Sequence, residues 1–208
     1  MAYPETLGVV LAGGLARRMG GGDKARIRVG GRTILERVID RLHPQCSGLA
    51  INANADASRF ADFGLPVVPD SVPDHAGPLA GILAGLHWAA NHIPKAEWVV
   101  SAPSDCPFLP RDLVAGLHQA RILAGAPLAC AASGDRRHPV IALWPVSLRE
   151  DLRRALTAED VRKVDQFAAR YAVGIAAWPI MPVDPFFNIN TPEQISEAER
   201  IAAQFPEI

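Results

Sequence analysis

The stretch Leu7-Gly8-Val9-Val10-Leu11 runs directly into Ala12-Gly13-Gly14-Leu15-Ala16-Arg17-Arg18-Met19-Gly20-Gly21-Gly22-Asp23-Lys24. The first five residues are a short apolar run bounded by glycine, the pattern of a strand buried on both faces. The loop that follows carries five glycines. Glycine lets a backbone take positive φ and turn its N–H groups onto a bound anion. Arg17, Arg18 and Lys24 add the positive charge that a polyphosphate requires. On composition alone the segment reads equally well as a flexible surface loop with incidental arginines.

Two familiar phosphate loops are excluded. The Walker pattern GxxxxGK[ST] fails because Lys24 follows Asp23 and precedes Ala25. Gly20-x-Gly22-x-x-Ala25 matches the dinucleotide fingerprint in form, but it lies well past the strand and leads into Arg26-Ile27-Arg28-Val29 rather than a helix.

Outward from this segment the chain alternates short apolar runs with amphipathic helical patterns. Further strands are expected at Leu49–Ala53, Val67–Val68, Trp98–Ala102, Leu128–Ala131, Pro139–Trp144 and Val173–Trp178. Ile34, Leu35, Val38, Ile39 and Leu42 make one helical stripe; Leu79, Ile82, Leu83 and Leu86 make another. The last helix has Thr191 as N-cap, Pro192 at its first position and Gln194 completing a capping box. Its inward face is Ile195, Ala198, Ile201, Ala202 and Phe205. Such alternation predicts right-handed crossovers and a mostly parallel sheet with helices on both faces, in one α/β domain over residues 1–208. In sheets of this kind ligands lie beyond the carboxyl ends of the strands.

The 208 residues include 21 Lys and Arg against 22 Asp and Glu, a net charge of −1. That balance argues against a nucleic-acid-coating protein or an anionic-membrane binder, so an anionic ligand needs a local cluster of positive charge. The three cysteines, Cys46, Cys106 and Cys130, are odd in number and form no CxxC pair. They fit free thiols in a reducing compartment. With neither a signal-peptide pattern nor a membrane-length apolar run, a soluble cytoplasmic chain is expected.

The loop LAGGLARRMGGGDKA closely resembles the signature loop of nucleotidyltransferases with a glycosyltransferase-A-like, Rossmann-related fold. Other segments narrow the resemblance: Asn52-Ala53-Asn54, Pro69-Asp70-Ser71, Gly77-Pro78-Leu79-Ala80-Gly81-Ile82 and Ser104-Asp105-Cys106-Pro107-Phe108-Leu109-Pro110. To these are added Gly134-Asp135-Arg136-Arg137-His138-Pro139, Arg162-Lys163-Val164 and Phe187-Asn188-Ile189-Asn190-Thr191-Pro192. Taken in order from Gly8 to about Pro192, they resemble the molybdenum cofactor guanylyltransferase family, which joins GMP to molybdopterin. The resemblance implies a three-layer α/β/α Rossmann-like nucleotidyltransferase fold with a mostly parallel mixed sheet. Relatives commonly carry Ser or Thr where this chain has Ala16.

It also implies site roles. Asp105 would ligate Mg²⁺ against triphosphate oxygens, since magnesium takes one or two carboxylates plus phosphate and water. A turn aspartate before Pro107 is the plainer reading of the same residue. Leu11, Ala12, Gly13, Gly14, Lys24, Asn52 and Asp70 would bind GTP, with Lys24 and Arg17 acting on the phosphates. Asn and Asp side chains can accept from a guanine ring N–H and amine. Pro78 to Gly81 could bring a helix N-terminus towards the nucleotide, and Gly81 reads equally as a close helix–sheet contact. Arg136, Arg137 and His138, placed before a strand, and Arg162 and Lys163, at the start of a helix, would hold the molybdopterin phosphate and pterin. Asn188 and Asn190 would contact metal or phosphates. Cys106 reads as a bystander thiol. The implied partners are GTP, molybdopterin or Mo-molybdopterin, and molybdenum-inserting and acceptor molybdoenzyme proteins. A molybdopterin cytidylyltransferase, a sugar-phosphate nucleotidyltransferase and a non-catalytic nucleotide-binding adaptor remain open at this level.

Overall fold

The computed structural model describes residues 3–13, 26–54, 56–72 and 77–208. The chain opens with β1 (Thr6–Leu11), a hairpin of β2 (Arg28–Val29) and β3 (Arg32–Thr33), and α1 (Ile34–Leu42). There follow β4 (Gly48–Asn52), β5 (Val67–Val68), α2 (Pro78–His92), β6 (Trp98–Pro103) and α3 (Leu113–Leu123). The remainder is β7 (Leu128–Ser133), β8 (Arg136–Pro145), α4 (Arg149–Thr157), α5 (Val164–Ala168), β9 (Val173–Trp178) and α6 (Pro192–Gln204).

Seven strands form one sheet in the order β5-β4-β1-β6-β8-β7-β9. These are the seven strands expected from the apolar runs. β8 runs antiparallel to both of its neighbours, and the other pairings are parallel. The reversal follows from a two-residue Gly134-Asp135 turn, with Gly134 at φ +52°, too short for anything but a hairpin. β8 begins three residues before Pro139, so Arg136, Arg137 and His138 lie in the strand rather than ahead of it. Proline lacks the N–H of a regular ladder. Here it falls where the β7–β8 register shifts, with Ala131 opposite His138 and Cys130 opposite Ala142. The β2–β3 hairpin was not expected; two residues per strand carry no readable period.

Side-chain alternation along the central strands feeds the two faces of the sheet. Leu7 and Val9 pack with Leu79, Ile82, Leu83 and Leu86 of α2. Val10 packs on the other face with Leu35, Val38 and Leu42 of α1 and Leu117 of α3. A third cluster joins Val29 and Ile34 to Ile189, Ala198 and Ala202, docking α6 against the hairpin. The three predicted features of the α6 start are present: Pro192 opens the helix, Thr191 accepts from Gln194 N, and Gln194 Oε1 accepts from Thr191 N at 3.0 Å. A second capping box, Thr33 with Glu36, starts α1.

A buried polar chain ties α3 to β1. Arg121 Nε donates to His118 Nδ1 at 3.1 Å, so the protonated ring nitrogen is Nε2, 2.8 Å from Thr6 Oγ1; that hydroxyl donates to the Pro4 carbonyl at 3.0 Å. Burial, reinforced by Arg121, pulls the His118 pKa down to about 4. The unfolded chain, with an imidazole pKa of about 6.5, takes up the proton first as pH falls. Stability carried by this group is therefore full above pH 6.5 and is lost on the way down to pH 4. We expect it to cost the fold about 2 kcal/mol between pH 7 and pH 5. The check is urea unfolding at both pH values. Wild type should lose that much more than His118→Gln, and equal losses would remove the assignment.

Candidate functional site

The parallel register sets Asn52, Leu11 and Pro103 abreast at the carboxyl ends of β4, β1 and β6. Backbone bonds carry this alignment past the strands: Ala12 N donates to Asn52 O at 2.8 Å, and Ser104 N donates to Leu11 O at 3.1 Å. After β1 the chain winds first to β4 and β5 and then crosses back to β6. A ligand crevice is expected where that winding reverses. A cleft of about 480 Å³ lies there.

Among the described residues the cleft brings together Leu11, Gly13, Asn52, Asp70, Asp105, Arg136, Arg137, His138 and Asn188, all of them predicted. Ala12 and Asn190 are absent from its lining; Ala12 lies between Leu11 and Gly13, which are present, and Asn190 two residues after Asn188. Arg162 and Lys163 do not line it: Arg162 pairs with Asp160 at 2.6 Å, and Lys163 caps the short α5. Gly14, Arg17 and Lys24 lie outside the described residues.

Asp70 is held by two amides. Asn52 Nδ2 donates to its Oδ1 at 2.9 Å and Asn54 Nδ2 to its Oδ2 at 2.7 Å, while Asp70 N donates back to Asn54 Oδ1 at 2.8 Å. Each carboxylate oxygen keeps further lone pairs, so the group is a fixed double acceptor at the cleft wall. Sequence reading did not single out Asn54, which lies two residues beyond β4 and meets Asp70 only through the β4–β5 pairing. Asn52 is in turn pressed by α2. A Cβ on Gly81 would lie 2.2 Å from Asn52 Oδ1 and 2.8 Å from Leu11 Cδ2, so the close helix–sheet contact is real. That approach brings Gly77 and Pro78, the start of the 15-residue α2, into the cleft wall. The free N–H groups of its first turn favour an anion there.

Opposite in charge to Asp70 and Asp105, Arg136 and Arg137 project from β8 as exposed side chains. His138 Nε2 sits 2.8 Å from Ser133 Oγ, and its ring packs 4.7 Å from Phe186. Burial, helped by Arg136 and opposed by Asp184, lowers its pKa, so the ring is neutral near pH 7. Asp105 is half-buried, and its carbonyl accepts from Ile189 N at 3.0 Å, which fixes the turn. Cys106 is buried with its Sγ 3.6 Å from Asp105 Oδ1, in keeping with a packing role. Among the described residues no three His, Cys, Asp or Glu side chains gather as a metal cage. A magnesium ion needs no such cage where phosphate oxygens complete its shell, and the Asp105 carboxylate in the cleft lining fits it.

Residues 8–172 match the model of the MobA-like NTP transferase domain. This chain belongs to that family. As a family member it is 64% identical over 200 residues to the molybdenum cofactor guanylyltransferase of Rhodopseudomonas palustris strain BisB5, covering 96% of this chain and 95% of the relative. It is 62% identical to the protein of that name from Nitrobacter hamburgensis, covering 96% of each. Its fold matches the molybdopterin-guanine dinucleotide biosynthesis protein A of Archaeoglobus fulgidus, with a TM-score of 0.73, 24% identity and coverage of 95% and 99%. The 4-diphosphocytidyl-2C-methyl-D-erythritol synthase of Anaerococcus prevotii superposes nearly as well, with a TM-score of 0.71, 16% identity and coverage of 96% and 99%. Backbone alone therefore does not choose the nucleotide; the side chains of the cleft must. Among the described residues of this MobA-like transferase, no helix is long and apolar enough to cross a membrane.

Proposed function

We propose that the chain transfers GMP from GTP to the phosphate of molybdopterin, releasing pyrophosphate and forming the guanine dinucleotide cofactor. The observation that carries this reading is the cleft at the reversal of winding, where fixed acceptors (Asp70, Asn52), the Asp105 carboxylate and two arginines (Arg136, Arg137) converge. The same reading is supported by relatives of that name at more than 60% identity over nearly the whole chain.

A phosphate monoester has a second pKa of about 6 and is mostly dianionic near neutral pH, so its oxygen is a competent nucleophile without a general base. That oxygen forms a bond to the α-phosphorus of GTP while the bond to the β-phosphate oxygen breaks, the electron pair leaving with pyrophosphate. Neutral His138, already engaged with Ser133, fits a site that moves no proton. The chain's work is alignment and charge neutralisation. Asn52 and the double acceptor Asp70 hold the guanine edge. The α2 start, Gly13 and Gly14 of the loop, Lys24 and Arg17 receive the triphosphate. Arg136, Arg137 and Asn188 hold the phosphate end of the second substrate. Magnesium would be held by Asp105 and triphosphate oxygens, where it neutralises the phosphates' charge.

Thermal unfolding with Mg²⁺ and each of GTP, CTP, ATP and UTP tests the nucleotide. Only GTP should raise the transition temperature strongly, because ligand affinity for the folded state adds directly to stability. Stabilisation by CTP alone would make the cleft that of a cytidylyltransferase, and no stabilisation by any would end the reading. Lys24→Ala should weaken GMP transfer at least tenfold, the value of one charge-assisted contact. Undiminished transfer would withdraw Lys24 from the site.

A further inference from the structure

A second cavity, of about 270 Å³, opens between the β2–β3 turn, α1, the approach to α3 and residues 206–208. It shares no lining residue with the cleft. Four arginines line it: Arg32, Arg37, Arg41 and Arg111. Arg32 is engaged by Asp40, another lining residue. Among the described residues, Arg41 and Arg111 have no side-chain carboxylate within ion-pair distance.

Arg41 is the informative member. It is 8% exposed, yet its guanidinium meets only carbonyls, Leu109 O at 3.0 Å and Glu207 O at 3.5 Å. Arg37 donates to Val29 O at 2.8 Å and to an oxygen of Ile208 at 3.5 Å, and Glu199 and Asp40 offset part of its charge. Carbonyls satisfy individual N–H groups but do not balance a charge, and buried charges are ordinarily paired. Burial, with Arg111 and Arg37 adding repulsion against a partial offset from Asp40, brings the Arg41 pKa down to about 10. Glu207 also lines the cavity, and Glu199, which accepts from Gly30 N at 2.9 Å, offsets part of the Arg37 charge. An anion entering the cavity would relieve this concentration of like charge, and planar guanidinium forks match tetrahedral oxyanions. The volume falls below the roughly 300–1,000 Å³ that houses a drug-sized ligand, so a small anion fits best.

We propose that this cavity is a binding site for a small phosphate oxyanion, orthophosphate or pyrophosphate, separate from the nucleotide cleft. Isothermal titration of the whole protein with sodium phosphate and with sodium pyrophosphate, against sodium chloride at matched ionic strength, tests it. Arg111 is exposed and Arg37 half-buried, so Arg111→Gln and Arg37→Gln should remain folded, as thermal unfolding verifies. Arg136→Gln, in the cleft, separates anions bound there. Saturable binding of at least one anion is expected, weakened roughly tenfold in both Arg111→Gln and Arg37→Gln and retained in Arg136→Gln. The tighter of the two anions identifies the ligand. Chloride-like heats from both anions, unchanged binding in Arg111→Gln and Arg37→Gln, or binding lost only in Arg136→Gln would each overturn the proposal.

Discussion

Asp105→Ala is expected to lower GMP transfer roughly a thousandfold, the scale on which a preorganised electrostatic group at a reacting phosphate contributes. The carboxylate lines the cleft just beyond β6, two residues past the level at which Asn52, Leu11 and Pro103 stand abreast. The bond from Ile189 N goes to the Asp105 carbonyl rather than to its side chain, so the substitution keeps it. Unfolding midpoints should therefore stay close to wild type while kcat collapses. Steady-state kinetics across a range of Mg²⁺ concentrations separates the possibilities. A loss of kcat that excess Mg²⁺ does not restore is the expected outcome. A normal kcat, or a loss that merely tracks a lower melting temperature, would return Asp105 to the role of a turn residue.

Gly81→Val should damage both fold and nucleotide binding. Gly81 lies inside α2, where replacing glycine gains less than about 1 kcal/mol of helix propensity. Against that gain, the first added carbon lands 2.2 Å from Asn52 Oδ1 and 2.8 Å from Asn52 Cγ. Asn52 cannot turn aside freely, since its Nδ2 is bonded to Val68 O at 3.0 Å and to Asp70 Oδ1 at 2.9 Å. Overpacking and broken bonds outweigh propensity, for a net loss of about 3 kcal/mol. Because the displaced amide also orients Asp70, GTP affinity should fall roughly a hundredfold, a larger drop than one contact gives. Gly85→Ala is the control. Its Cβ would meet Val9 at 3.1 Å, well inside the sheet and away from the cleft. It should leave GTP affinity unchanged. Equal GTP binding in Gly81→Val and wild type, by titration, would sever the link drawn between α2 packing and the base site.

Much of this fold is legible because its central strands are buried on both faces. Such strands read as continuous apolar runs, and Val67–Val68 and Val173–Trp178 agree with the structure to the residue. Proline hid the start of β8: Pro139 looks like a boundary, and only the register shift beside it lets the strand begin at Arg136. One rule, that chemistry gathers after the strands, told where to look, and the family resemblance assigned Leu11, Asn52, Asp70 and Asp105, which the structure brings into one cleft. Arg162 and Lys163 mark where the rule stops. A basic pair at a helix start looks the same whether it faces a ligand or solvent, and here Arg162 answers Asp160. Asn54 was missed for the converse reason. Its grip on Asp70 exists only because β4 and β5 pair side by side, a relation across 16 residues that no local pattern encodes.

The most direct test is to incubate the purified chain with molybdopterin, GTP and Mg²⁺ and to analyse the products by mass spectrometry. The account predicts one pyrophosphate released for each molybdopterin that gains a GMP unit, with no comparable product when CTP replaces GTP. A cytidylylated product, or intact GTP and molybdopterin after prolonged incubation of folded protein, would contradict it.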